Sequence, residues 1–230
     1  MVDVAANYRT IMSRIAQAAI RSGRKPSDVK LLGAAKSQTA DAIAAAIAAG
    51  VALIGENYVQ EAKQKKERIA SSVEWHMIGH LQRNKAKAAV GLFDVIESLD
   101  SLELGKALDR EGRERGKVIR VFVEVNLGGE ESKSGIDKSE LAAVLQGLAA
   151  LPNLRIGGLM TVPPLRADPN DVRPYFRELR ELREKLTELR LPNVDLAELS
   201  MGMTHDYTIA IEEGATIVRI GTALFGPRSR

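Results

Sequence analysis

Lys36 stands at the end of an apolar run in KLLGAAKSQT (residues 30–39). A primary amine placed at the end of a buried strand is a candidate nucleophile toward carbonyls. Two later stretches pair a hydroxyl with glycine: Ser200 with Gly202 in SMGM, and Thr222 with Gly221 in GTALFG. Glycine lets backbone N–H groups approach a ligand closely, and the hydroxyls can donate as well, so both stretches suit an anion such as phosphate. Arg219, in TIVRIGT, shares strand parity with Ile217 and Gly221. A guanidinium on a central strand is costly unless paired. His76 and His80 are four apart, but a zinc-protease helix needs glutamate beside the first histidine, and Met77 stands there instead.

The rest of the chain reads as a device for bringing these groups together. Eight short apolar runs recur, at 30–36, 52–57, 74–80, 94–100, 119–127, 154–162, 195–201 and 216–226. Segments of helical period separate them. TADAIAAAIAAG places Ile43 and Ile47 on one face before Gly50, a C-terminal cap. DVRPYFRELRELREKLTEL repeats Leu179, Leu182, Leu186 and Leu189. DKSELAAVLQGLAAL starts at Asp137 as an N-cap and stops before Pro152. Strands alternating with helices imply parallel βαβ units. No dinucleotide glycine fingerprint follows the first strand, which disfavours an open doubly wound sheet. The expectation is α/β: one (β/α)8 TIM barrel over 30–226, preceded by an amphipathic helix over 1–23, as a single domain spanning 1–230.

In such a barrel functional groups gather at the C-terminal strand ends, and phosphate sits beside strands 7 and 8. Lys36 then faces Ser200–Gly202 and Gly221–Thr222 across the mouth. An amine, a phosphate cup and a partner for a pyridine nitrogen are what pyridoxal 5′-phosphate requires. Arg219 fits the third part, because a guanidinium donates to an unprotonated ring nitrogen and accepts nothing. A barrel enzyme acting on phosphorylated sugars is the alternative. The chain has no cysteine, so disulfides and thiolate chemistry are excluded. A net charge of +3 gives no case for nucleic acid, and KQKKER and RNKAK read as solvated helix faces. No apolar run is long enough to span a membrane, and no signal peptide is evident, which implies a cytoplasmic protein.

Taken in order, IGENYVQEAKQK, WHMIGHLQRNK, ESKSGI, GLMTVPP, LSMGM with Asp206, and VRIGTALFGPR resemble the pyridoxal 5′-phosphate homeostasis proteins along nearly the whole chain. The resemblance implies a barrel like the N-terminal domain of alanine racemase. It implies a Schiff-base lysine at Lys36 and a phosphate site of Ser200, Gly202, Gly221 and Thr222. Arg219 would face the pyridine nitrogen, while Asn57, His76 and Met201 would line the pocket. Ser37 and Thr204 replace the family's usual Thr and Ser, each keeping a hydroxyl. The implied role is a non-catalytic, monomeric carrier of the cofactor within the vitamin B6 pool, with apoenzymes that use it as partners. The alternative is an amino-acid racemase. Racemisation needs acids and bases on both faces of the substrate α-carbon. The sequence ends at Arg230, directly after the last strand, so the expectation is that the second domain supplying a tyrosine in alanine racemases is absent. Tyr58 and Tyr207, just after strand ends, are the candidates for a replacement.

Overall fold

The computed structural model describes residues 2–69, 71–129 and 134–227. Eight parallel strands close into a barrel: β1 (Lys30–Ala34), β2 (Leu53–Glu56), β3 (Glu74–Met77), β4 (Val95–Leu99), β5 (Ile119–Asn126), β7 (Leu154–Met160), β8 (Val194–Ser200) and β9 (Ile217–Ile220). Each pairs with its neighbour in that order, β4–β5 and β1–β9 pairings included, so no barrel edge is left open. All eight expected strands are present; six are shorter at their ends, 195–201 is shifted by one residue to Val194–Ser200, and the expected 216–226 is strand only over Ile217–Ile220, with Thr222–Phe225 helical. A two-residue β6 (Ile136–Asp137) adds to the end of β5. Part of the ESKSGI motif and Arg228 of the last motif lie outside the described residues.

The crossover helices are α2 (Ala40–Ala49), α3 (Val59–Lys66), α4 (Ala86–Leu92), α5 (Leu102–Arg115), α6 (Leu141–Ala149), α7 (Arg173–Thr187) and α8 (Tyr207–Glu212), with the short α9 (Thr222–Phe225) after β9. Before the barrel comes α1 (Val4–Arg21), capped by Asp3, whose carboxylate accepts from the Ala6 N–H. Its buried face of Ile11, Ile15, Ala18 and Ala19 packs on α2, α8 and α9. Helix α2 begins at Thr39, whose hydroxyl accepts from Ala42, and ends at Gly50, left-handed at φ 116° as expected. Helix α6 starts later than expected. Asp137 does not cap it; its carboxylate takes the N–H and hydroxyl of Ser139 in the preceding turn, and Leu141 is the first helical residue. In α7, Leu179 and Leu186 are buried, but Leu189 lies beyond the helix and is 42% exposed.

Two apolar layers result. The large one fills the space between the helices and the outward faces of the strands. A small one, Leu32, Leu53, Val95, Phe122, Met160 and Ile217, plugs the barrel interior. Since all strands run the same way, their C-terminal ends form one mouth, and Lys36, Asn57 and Gly221 all lie there.

Candidate functional site

Lys36 follows β1 in a tight turn. Gln38 N–H donates to the Ala35 carbonyl, and Ser37 occupies the left-handed region at φ 62°. Such a conformation is rare for a residue with a Cβ, so the surroundings must impose it. Helix α3 does so. Glu61 accepts the Ser37 N–H at 3.1 Å, while Lys65 donates to the Ala35 carbonyl at 2.9 Å. Lys65 also pairs with Glu61 at 3.1 Å and with Glu56, fully buried at the end of β2, at 2.6 Å. The backbone on both sides of Lys36 is therefore clamped. The Lys36 ammonium itself forms no hydrogen bond or ion pair with any described residue. It sits 5.2 Å from the centre of the Tyr58 ring.

Lys36 lines a cavity of about 340 Å³ with Asn57, Arg219, Gly221 and Thr222, and with Met203, Thr204 and His205. That lies within the roughly 300–1,000 Å³ of small-molecule sites. A Cβ on Gly221 would meet the Ala34 carbonyl oxygen at 3.4 Å and the Ala34 Cβ at 3.7 Å, ordinary van der Waals contact. In the short α9 at that same wall, the Leu224 and Phe225 N–H groups donate to the Gly221 carbonyl at 2.9 Å and the Ala223 N–H to Thr204 Oγ1 at 3.4 Å. The Lys36 amine, Gly221 and the Thr204 and Thr222 hydroxyls, together in one cavity wall, fit a phosphorylated aldehyde.

Arg219 is almost completely buried. Nη1 donates to the Ser200 carbonyl at 2.7 Å and to Ser200 Oγ at 2.8 Å, and Nη2 donates to the Thr161 carbonyl at 2.8 Å. Three of its five N–H groups are thereby used. Burial lowers its pKa, while the charges of Glu97, Glu124 and Asp206 oppose that.

The remaining expected residues lie behind the wall. Ser200 Oγ donates to Glu97 Oε2 at 2.5 Å, so its proton is committed and its lone pair faces Arg219. Met201 is fully buried in the outer layer. Gly202, at φ 91°, lets the chain turn past α8, where a Cβ would come within 2.5 Å of the Ala210 Cβ. His76 is buried in the barrel between Glu97 and Glu74. Tyr207 is buried against the core and its phenol interacts with Arg14 of α1.

The sequence reading missed the α3 clamp, the interior carboxylates Glu74, Glu97 and Glu198, and Glu124, an inward carboxyl on β5. Burial raises the Glu124 pKa to about 7, with Arg219 and His80 lowering it and Asp100 raising it. The native state thus holds a proton there that the unfolded chain releases near 4.5. Stability falls as pH rises from about 4.5 to about 7 and is level above that, the Glu124 contribution being on the order of 3 kcal/mol. Glu124→Gln is expected to be more stable than the parent at pH 8 and to lose that advantage at pH 4. Urea unfolding at both pH values measures this, and an equal difference at the two would remove Glu124 as the source.

The alanine racemase N-terminal domain family matches residues 3–229. A pyridoxal phosphate homeostasis protein of Aquifex aeolicus is 46% identical over 219 residues, covering 95% of each chain. The structure of PipY from Synechococcus elongatus with bound PLP is 39% identical, with a TM-score of 0.82, over 94% of this chain and 100% of that one. An alanine racemase from Corynebacterium glutamicum shares the fold at 19% identity, with a TM-score of 0.70. It covers 96% of this chain and 59% of its own.

Proposed function

The chain belongs to the pyridoxal phosphate homeostasis proteins, built on the alanine racemase N-terminal domain, and from that premise we propose that it binds and releases pyridoxal 5′-phosphate. The carrying observation is Lys36, its flanking backbone clamped and its amine without a described hydrogen bond or ion pair, in a wall shared with Arg219, Gly221 and Thr222. When bound, the cofactor supplies an aldehyde that a lysine amine can attack and a ring that can accept electrons. In this reading Lys36 is the covalent anchor. Gly221 and Thr222 hold the phosphate, helped by Gly202 through the path of its loop. Asn57 lines the ring site. Arg219 donates one of its remaining N–H groups to the pyridine nitrogen. Ser200, His76 and Met201 support this arrangement from behind the wall.

The same residues favour a carrier over a racemase. Arg219 leaves the pyridine nitrogen unprotonated, which weakens the ring as an electron sink. Racemisation also needs a second acid opposite the lysine. Tyr207 does not line the cavity, and the Tyr58 ring sits beside the Lys36 ammonium, on the lysine's own side. The protein acts as a monomer that serves cofactor-dependent apoenzymes in the cytoplasm. Among the described residues no helix is long and apolar enough to cross a membrane. The test is to incubate loaded protein with L-amino acids in deuterated water and follow α-proton exchange by NMR. Exchange no faster than with free cofactor is expected. Fast exchange that disappears in Tyr58→Phe would replace the carrier reading with the racemase one.

A further inference from the structure

The barrel interior contains more charge than its fold requires. From the mouth inward, Arg219 donates to Ser200 Oγ, and Ser200 donates to Glu97 Oε2. Glu97 Oε1 meets His76 Nδ1 at 2.5 Å. His76 Nε2 lies 3.2 Å from Glu74 Oε1, close enough for an ion pair. Arg120 reaches Glu74 at 3.3 Å and Glu198 at 3.4 Å. Lys30 completes the series on Glu198 at 2.5 Å, with its own side chain 48% exposed at the opposite mouth. Positive and negative groups alternate along the path, and it draws on β9, β8, β4, β3, β5 and β1.

Where the chain is buried, at Arg219, Ser200, Glu97 and His76, it costs desolvation, and an aliphatic layer of similar volume is often as stable or more so. Such a layer exists beside it, in Leu32, Leu53, Val95 and Phe122. Stability alone therefore gives no reason for the chain. Its geometry at the mouth gives one. Among the described residues Arg219 has no carboxylate as a hydrogen-bond partner. Glu97 acts on it from one hydroxyl away, so the guanidinium is attracted and oriented while two of its N–H groups stay unused.

We propose that Glu97 is the positioning residue for Arg219, and that through Ser200 and His76 it couples the ring-nitrogen end of the cofactor site to the opposite mouth of the barrel. This rests on the reading of Arg219 as the ring-nitrogen partner. It requires His76 to be an imidazolium, because Glu97 and Glu74 flank the ring on both nitrogens. Burial opposes that charge, but the two carboxylates outweigh it and raise the His76 pKa to about 9. The other charges along the same interior are Arg120 and Glu124 on β5, Glu198 on β8, Lys30 on β1 and Arg219 on β9.

The full chain has three histidines, so ring-labelled histidine yields three NMR signals, identified with His80→Asn and His205→Asn. In cofactor-free protein the His76 signal is expected to titrate near 9, and in Glu97→Gln lower than that, Glu74 alone then opposing burial. Adding pyridoxal phosphate to the unsubstituted protein should displace the His76 signal, although His76 does not line the cavity. Ser200→Ala, which cuts the link, should leave His76 unmoved at equal cofactor occupancy, judged by absorbance. Two results on unsubstituted protein overturn the proposal without relying on any variant to fold. One is a His76 midpoint at or below about 6.5. The other is a His76 signal indifferent to cofactor that absorbance shows to be bound. If the protein takes up no cofactor at all, the proposed function fails, and the titration still decides whether Glu97 holds an imidazolium.

Discussion

Lys36→Ala is expected to leave a folded protein that borohydride no longer labels. With the parent, reduction in the presence of pyridoxal phosphate should fix the cofactor to the peptide containing Lys36. In the variant the label and the visible band of bound cofactor should both be lost completely. The size of the effect follows from how the lysines are used. Lys36 is the one lysine in the cavity wall among the described residues. Lys65, nearest along the α3 clamp, is engaged by Glu56, Glu61 and a backbone carbonyl. Lys30 points to the far mouth and pairs with Glu198. An amine holding a carboxylate hydrogen bond must break it before attacking a carbonyl, and a protonated amine does not attack at all. The fold should survive, because Lys36 forms no ion pair with any described residue and alanine keeps the backbone turn. Recovery of the label on Lys65 or any other lysine would overturn the assignment of the anchor.

What could be read from sequence and what could not have one physical origin. Parallel strands buried on both faces show as continuous aliphatic runs, and IRVFVEVN or LRIGGLM can hardly be anything else. The amine at the end of the first run and the paired hydroxyl–glycine stretches are local signals, so Lys36, Gly221 and Thr222 could be placed together from fold rules alone. Strand parity turned Arg219 inward. The same parity, applied to Glu74 and His76 in EWHM, Glu97 in VIESL, Glu124 in RVFVEVN and Glu198 in LAELS, would have turned all of these inward as well. What parity cannot supply is which inward charges meet across the barrel. Glu97 reaches Ser200 from 103 residues away, through a β4 bulge that no sequence rule locates. Lys65 was hidden differently. It lies in KQKKER, a charge run that reads as solvent-facing, and only its side chain turns back to Glu56.

That hidden lysine should be among the most costly residues to lose. Lys65→Met keeps the length of the side chain and removes its charge. Glu56 would then be a fully buried carboxylate with no cation, having one oxygen already without a hydrogen-bond partner. Stranding one member of a buried pair costs about 3–5 kcal/mol. The penalty should depend on pH in a defined direction. Burial already raises the Glu56 pKa, and Lys65, with a smaller part from the Asn57 backbone, lowers it, so removing Lys65 raises it further. A carboxyl raised in the native state is protonated there at low pH and costs little, and the cost grows as pH rises through its native pKa. Lys65→Met should therefore lose less stability at pH 5 than at pH 8 in urea unfolding. Adding Glu56→Gln removes the stranded charge, and the double variant should recover most of the loss. The Ala35 carbonyl would still lack its clamp in both variants, so the turn holding Lys36 should stay loose. Covalent uptake of pyridoxal phosphate should be slow in both, whatever the stability. A double variant as unstable as the single one would show that Glu56 is not what Lys65 offsets, and normal uptake would show that the clamp does not position Lys36.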